Sequence, residues 1–338
     1  MEINQEKVLV TGASGYIALH CILGLLNKGY KVKGSLRNMN REDEVRKSLG
    51  TNFKNENLEF CKLNLLNNEG WEEATSDCEY LFHIASPCCI KEPKNEKEII
   101  DPALEGTLTA LKAAHKSKLK KVVLTSSMGA IAYGHNKSQC DQTDWTDTSK
   151  NVGAYIKSKT IAEKAAWDFV NNQTKGSLIM TTIHPGMVFG PLIGNDIDGI
   201  SASLIIKMMT GKFPALPNIY FTVVDVRDVA NLHVQALTKK QSDHRRIIAT
   251  SKNGIQFLEI SEILRELGFN KSPKNLVPNQ LINSLALFNR DMKNTASMIK
   301  RGCYGVDISE TISIFDWDPI PLKETLEDMT NSLTKILN

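Results

Sequence analysis

Two groups of residues in this sequence have the types and spacing that proton transfer requires. Tyr155 and Lys159 stand four apart in A-Y-I-K-S-K, so on a helix they share one face. A free tyrosine titrates near about 10 and is a poor acid–base group at neutral pH, but an ammonium one turn away favours the tyrosinate. Ser126 and Ser127 lie upstream, closing the apolar run K-V-V-L-T-S-S. A hydroxyl there would hold a substrate oxygen while Tyr155 protonates it.

A second constellation reads as a dinucleotide site. T-G-A-S-G-Y-I-A carries Gly12, Gly15 and Ala18, with Ser14, Tyr16 and Ile17 in the same turn. The strand-like run Lys7 to Thr11 precedes it and a helix pattern from Tyr16 to Asn27 follows. Glycine permits a tight turn and close backbone approach to a pyrophosphate, and the helix N-terminus offers free N–H groups to the phosphates. The second strand ends Ser35-Leu36-Arg37-Asn38, with no carboxylate before Glu42. NAD sites carry an acid there for the ribose 2′-OH, whereas a guanidinium forks onto a 2′-phosphate. Arg37, with Arg41 adding charge, therefore points to NADP(H). Lowering a tyrosine pKa to about 7 takes roughly 4 kcal/mol, which Lys159 and a cationic nicotinamide together supply.

The elements that must position these groups alternate. Strand-like runs cover Lys7 to Thr11, Tyr30 to Leu36, Leu58 to Asn64, Tyr80 to Ser86, Lys121 to Ser127 and Ser177 to Pro185, separated by amphipathic helix patterns. Near-continuous apolar strands mean a parallel sheet buried on both faces. With right-handed crossovers this is an α/β fold, a doubly wound Rossmann sheet. Past Gly190 the texture changes. A helix pattern spans Ser201 to Met209, a strand turns into a helix at V-V-D-V-R-D-V-A, where Asp225 and Asp228 are expected to cap, and Ile247 to Thr250 reads as one more sheet strand. Residues 1–190, with 220–250 returning, are expected to form the dinucleotide domain, and 191–219 with 251–338 a smaller, mostly helical substrate lobe.

The motifs T-G-A-S-G-Y-I-A, L-T-S-S-M-G-A, A-Y-I-K-S-K-T-I-A-E-K-A-A-W-D-F and V-V-D-V-R-D-V-A resemble the dihydroflavonol reductase-like branch of extended short-chain dehydrogenase/reductases. The order and spacing match over nearly the whole chain. The resemblance implies a Ser-Tyr-Lys triad in which Ser127, the second of the pair, is the serine, Tyr155 the general acid and Lys159 also the holder of the nicotinamide ribose. It places Asn64 and Leu65 against adenine, with Asn64 standing where the family usually has Asp. Ala85 and Ser86 line the cofactor path after the fourth strand, and Pro185 and Val188 meet the carboxamide. It also implies a substrate wall at Cys88, Cys89 and Ile90. Plant dihydroflavonol reductases place an Asn shortly after the catalytic serine, and Met128 to Tyr133 lacks one, which argues against that substrate.

Composition narrows the partners. The chain has 338 residues, 41% hydrophobic and 23% charged, with a net charge of +3. That is ordinary for a globular protein and too weakly basic to suggest nucleic acid or a membrane surface. MEINQEKVLV has no leader-like apolar stretch, and seven cysteines without metal-ligand spacing suggest a reduced, cytoplasmic protein with no metal centre. His83 and His184 read as packed core histidines, and Trp145 and Trp167 as packing. The expected activity is NADPH-dependent reduction of a small aldehyde or ketone by a monomer or homodimer. The pocket is expected between Pro87 to Ile90, Met128 to His135 and Pro191 to Phe213, which are rich in apolar residues and poor in cations. A nucleotide-sugar epimerase or dehydratase shares the fold and triad, but Arg37 speaks against its tightly held NAD. A non-catalytic NADP-sensing regulator is the reading from another class; such relatives lose Tyr or Lys, and this chain keeps both.

Overall fold

The computed structural model describes residues 6–51, 55–88, 92–174, 178–195, 197–299 and 305–337. The apolar runs become the strands β1 (Lys7–Val10), β2 (Lys31–Leu36), β3 (Leu58–Lys62), β4 (Tyr80–His83) and β5 (Lys121–Thr125). After the short β6 (Gln139–Cys140) come β7 (Ile179–Pro185), β8 (Met187–Phe189), β9 (Tyr220–Phe221), β10 (Val223–Asp225) and β11 (Arg246–Ala249), then β12 (Ile255–Gln256) and β13 (Gly305–Val306). Seven of them form one parallel sheet in the order β11-β7-β5-β4-β1-β2-β3. The chain runs outward from β1 to β3 and then returns to β4 on the other side of β1. Strands β1 and β4 therefore flank the switch point, where such sheets bind ligands beyond their carboxyl ends.

Two helical layers cover the sheet because its strands are apolar on both faces. One layer uses α1 (Tyr16–Asn27), α2 (Glu42–Leu49) and α7 (Val226–Ala236), whose Ile22, Leu25, Val45 and Val229 share a core with Val8, Val10 and Phe82. The other uses α3 (Trp71–Thr75), α4 (Lys97–Lys116) and α5 (Ala154–Asn171), whose Trp71, Leu111 and Ala166 pack with Leu9, Leu81 and Val122. The alternation along β1 of Val8 and Val10 against Leu9 assigns each residue to its layer.

A third core is separate. It joins α6 (Ile200–Met209), α8 (Phe257–Glu266) and α12 (Leu322–Leu337) through Ile205, Met208, Ile260, Leu264, Leu326 and Met329. Helices α9 (Asn279–Leu285) and α10 (Arg290–Ile299) extend this lobe. Helix α11 (Ser309–Phe315) lies against β11, and Val306, Phe315 and Trp317 join the first core. Asp225 caps α7 as expected, accepting from the Arg227 amide at 2.8 Å. Asp228 does not cap: it lies inside the helix, buried, and accepts from the Ile320 amide at 2.9 Å, tying the chain before α12 to α7. Cys21, Cys61, Cys78 and Cys88 are not in disulfides, but Cys140 is, so the expectation of a wholly reduced chain does not hold.

Candidate active site

Strands β4 and β5 stop three and two residues before their apolar runs end, because the carboxyl edge diverts the chain. Beyond β4, the Thr11 hydroxyl accepts the Ile84 and Ala85 amides at 2.9 and 3.0 Å. Gly12 has φ +70°, and a Cβ there would stand 3.0 Å from the Ala85 Cβ, so the turn needs glycine and its neighbour must be small. Ser35 fixes the same turn from β2, accepting from the Gly12 amide at 3.2 Å through its hydroxyl and from the Ala13 amide at 2.9 Å through its carbonyl. No side chain caps α1 after Gly15, which leaves its first-turn N–H groups facing the cleft for an anion. Tyr16 turns its hydroxyl away, donating to the Gly190 carbonyl at 2.7 Å, and Ile17 packs on the first core.

Arg37 is exposed just past β2. Arg41 reaches over the turn, donating to Ser14 Oγ at 3.0 Å while pairing with Glu44 at 2.8 Å. This cradle, with the Arg41 guanidinium beside an uncapped helix N-terminus, Arg37 exposed just past β2 and a glycine that tolerates no Cβ, fits a phosphorylated dinucleotide. Asn64 is exposed and forms a local turn, its Oδ1 accepting from the Leu66 amide at 3.1 Å. Leu65 packs against Gly106 of α4. Pro185 ends β7, one strand over from β5, and Val188 lies in β8, which pairs with β10; both are buried. Cys89 and Ile90 lie outside the described residues.

Tyr155 and Lys159 both lie on α5, Tyr155 half-buried in its first turn and Lys159 buried one turn on. Lys159 Nζ donates to the Thr125 carbonyl at 3.2 Å, at the very end of β5. It lines a small cavity together with His83, Ala85, Ser86 and Ser126. Burial pulls the Lys159 ammonium down to about 8, against the opposing pull of Cys88 and Glu163. Burial, with the neighbouring Lys159 charge, takes His83 down to about 3, so it is a neutral core group bonded to Thr11 at 3.2 Å. His135 Nε2 donates to the Ile131 carbonyl at 2.9 Å.

The two serines differ in what they touch. Ser126 is buried and donates to Glu163 Oε2 at 2.6 Å. Ser127 is half-buried with extended backbone, its Oγ accepting from the Gly129 amide at 3.0 Å. The turn it opens is pinned to the rest by Thr146, which donates to the Gly129 carbonyl at 2.8 Å, and lies against Ile156 of α5. Ser127 thus sits beside the first turn of α5, its hydroxyl oxygen accepting from that amide.

Sequence reasoning missed Glu163. It is 1% exposed, four residues past Lys159, and receives Ser126, His184 Nε2 at 2.8 Å, Trp167 Nε1 at 3.1 Å and Arg246 Nε at 2.7 Å. Burial pushes its carboxyl up, but His184 and Arg246 overcome that and hold it ionised, well below the usual carboxylate range. Arg246 in turn stacks on Trp145, its guanidinium carbon 3.7 Å from the ring centroid. The signal was present: an acid four residues past the lysine lies inside the buried stripe of α5 and needs a partner. Trp145 and Trp167 are therefore more than packing, since both belong to this network.

Together the doubly wound sheet, the glycine turn and the Tyr155–Lys159 pair define an extended short-chain dehydrogenase/reductase. The chain belongs to the NAD dependent epimerase/dehydratase family, whose profile matches residues 8–249, and within it to the dihydroflavonol reductase-like branch. It is 38% identical over 270 residues to a cinnamoyl-CoA reductase of Medicago truncatula, spanning 77% of this chain and 80% of that one. It is 31% identical over 293 residues to a dihydroflavonol 4-reductase of Arabidopsis thaliana, spanning 82% and 72%. The crystal structure of yeast methylglyoxal/isovaleraldehyde reductase Gre2 complexed with NADPH superposes with a TM-score of 0.80 at 24% identity, over 98% of this chain and 99% of that one. A UDP-glucose 4-epimerase from Thermotoga maritima does so with 0.75 at 20% identity, over 98% and 100%. These two structural likenesses concern the fold.

Proposed function

We propose that this chain is an NADP(H)-dependent oxidoreductase that reduces a small aldehyde or ketone to an alcohol. The observation that carries this reading is the placement of Lys159. It is buried one turn past Tyr155, against the end of β5, in a cavity wall shared with Ala85 and Ser86. The names of the sequence relatives, cinnamoyl-CoA and dihydroflavonol reductases, support the reaction class, and the NADPH named with Gre2 supports the cofactor.

Arg37 and Arg41 hold the 2′-phosphate, and the N-terminus of α1 at Gly15, Tyr16 and Ile17 faces the pyrophosphate. Asn64 and Leu65 border the adenine, Ala85, Ser86, Pro185 and Val188 the nicotinamide half, and Lys159 the ribose. When bound, the reduced nicotinamide supplies the hydride. Tyr155 gives its hydroxyl proton to the carbonyl oxygen, and Ser127 donates a hydrogen bond that steadies the developing negative charge. The ammonium of Lys159 stabilises the resulting tyrosinate. Residues 1–190 and 220–250 carry the cofactor, and 191–219 with 251–338 border the substrate, the stretch 305–317 packing back onto the sheet. Among the described residues no group of three or more His, Cys, Asp and Glu is placed to hold a metal ion, and no helix is long and apolar enough to cross a membrane.

The test is a panel of simple aldehydes, α-dicarbonyls and dihydroflavonols, followed by NADPH absorbance, and of nucleotide sugars, followed by chromatography of the products. Turnover is expected with the first two classes and poor with dihydroflavonols. Turnover confined to nucleotide sugars would overturn the reading, because the pocket segments Met128 to His135 and Pro191 to Phe213 hold few cations for a diphosphate.

A further inference from the structure

The helix that carries Tyr155 and Lys159 does not cap itself. Gly153 precedes it at φ +88° and offers no side chain to the first-turn amides. The missing acceptor comes from elsewhere. Glu92, 62 residues upstream on the segment after β4, accepts the Ala154 N–H through Oε1 at 2.9 Å. Its other oxygen, Oε2, accepts from Asn294 Nδ2 of α10 at 2.7 Å, across 202 residues. The Asn294 amide lies against Gly153, its Nδ2 3.4 Å from where a Cβ would stand. One turn on, Lys157 Nζ donates to both oxygens of Glu96, each at 2.9 Å.

One carboxylate therefore joins three parts: the segment after β4, the first turn of α5, and the helical lobe. Ala154 is the residue directly before Tyr155. A first turn that frays there moves the tyrosine hydroxyl, and a misplacement of about 1 Å costs on the order of 100-fold in rate. Both bonds to Glu92 are charge-assisted, since an ionised carboxylate accepts from neutral donors.

We propose that Glu92 is a positioning residue for Tyr155, clasping the start of α5 to Asn294 so that the docking of the helical lobe sets the proton donor. This rests on the reading of Tyr155 as the acid. The clasp would be complete only with α10 seated, so proton transfer becomes coupled to closure of the lobe over the substrate. The phosphate contacts are left out of that coupling, because the glycine turn, Arg37 and Arg41 follow β1 and β2, while Lys159 keeps its own bond to the Thr125 carbonyl.

The test uses the full chain and four variants. Asn294→Asp sets two carboxylates against each other and breaks the clasp. Glu92→Gln keeps an acceptor for the Ala154 amide but loses the charge, and is the single-variant reference for the double variant. In the double variant Glu92→Gln/Asn294→Asp the glutamine amide donates to the new carboxylate, restoring the bond. Glu92→Ala removes both. Glu92→Ala and Asn294→Asp are expected to lower kcat for the carbonyl substrate by at least about tenfold, with the Kd for NADPH unchanged, and the double variant to recover most of the loss. Hydrogen exchange of the Ala154 amide, measured without substrate, is expected to quicken in Asn294→Asp and slow again in the double variant. A lower Tm with native kcat would show a merely structural contact and overturn the proposal, as would a double variant no better than Asn294→Asp, or unchanged exchange at Ala154. Tyr155→Phe with undiminished turnover would instead overturn the reaction assigned above, while the exchange rates still report on the clasp.

Discussion

The cofactor side and the substrate side of the sheet's carboxyl edge are built by opposite means. On the cofactor side the glycine turn is tied mainly to segments that follow neighbouring strands: Gly12 to Ser35, Thr11 to the Ile84 and Ala85 amides, Arg41 to Ser14. Strand register alone brings them together. On the substrate side Glu92 reaches across 202 residues to Asn294 of the helical lobe. The first arrangement is fixed once β1, β2 and β4 pair. The second depends on how the helical lobe docks. A family can keep its cofactor and change its substrate because these two dependencies are separate.

The largest effect should come from the proton donor, which both sides share. Tyr155→Phe is expected to leave the fold and NADPH binding intact and lower turnover by roughly two or more powers of ten, read by steady-state kinetics and fluorescence titration. Ser127→Ala should reduce kcat more than Ser126→Ala. The latter removes a buried bond to an ionised carboxylate, worth about 1.5–3 kcal/mol, and should appear in the melting temperature instead. A larger kcat loss from Ser126→Ala would show that the division between the two serines is drawn the wrong way.

Next comes cofactor choice. The unmodified chain is expected to favour NADPH over NADH at least about tenfold in Kd, about 1.4 kcal/mol, and Arg37→Ala should weaken NADPH while leaving NADH nearly unchanged. Equal affinity of the unmodified chain for both would remove the 2′-phosphate from this site. A change in the carbonyl KM of Arg37→Ala at saturating NADPH would show that the two sides are not separable as argued.

The buried network gives a pH test. Lys159 is held down near about 8 by burial, with Glu163 pulling it up. Above that pH the lysine loses its proton and the tyrosine its supporting charge, so reduction should fall as pH rises through about 8. Glu163→Gln removes the upward pull, and the alkaline limb of kcat/KM should move to lower pH. A limb that stays in place would mean that Glu163 serves only to hold Ser126, His184 and Arg246. For stability the sign is opposite in sense: the unfolded chain binds the Lys159 proton more tightly, so this group adds stability as pH rises between about 8 and the ordinary lysine value.

The smallest expected effect lies on the cofactor side. A Cβ at Gly34 would stand 2.8 Å from the Ala13 Cβ and 2.9 Å from the Phe60 ring, so Gly34→Ala should cost about 1–3 kcal/mol by overpacking, read by denaturant titration.

Those contrasts also explain what could be read in advance. The glycine turn, the near-continuous apolar strand runs and the four-residue tyrosine–lysine spacing are local patterns, and they are legible in the sequence. The end of β2 at Leu36 was legible, but that of β4 was not, because the Thr11 hydroxyl takes the Ile84 and Ala85 amides there, and such bonds leave no pattern in the sequence. Asp225 was legible as a cap, while Asp228 was not legible as the acceptor of the Ile320 amide, since 92 residues separate them. Glu163 left a trace as a charge in an apolar stripe, but Arg246 and His184 as its partners come from strand order. Glu92 left none, for nothing near it in the sequence names Ala154 or Asn294.

Arg246 opens β11, the edge strand that enters the sheet last. The ribosome delivers the chain from its N-terminus, so β1 to β5 and α5 emerge while Arg246 is still to be made. Until then Glu163 lacks its guanidinium partner, and an ionised carboxylate cannot settle in a dry interior alone. The nascent sheet can form its glycine turn early, but α5 gains its final seat only once some 250 residues are synthesised. Chains truncated before β11 should therefore retain an incompletely seated α5 and be the ones most readily cleaved by protease within it.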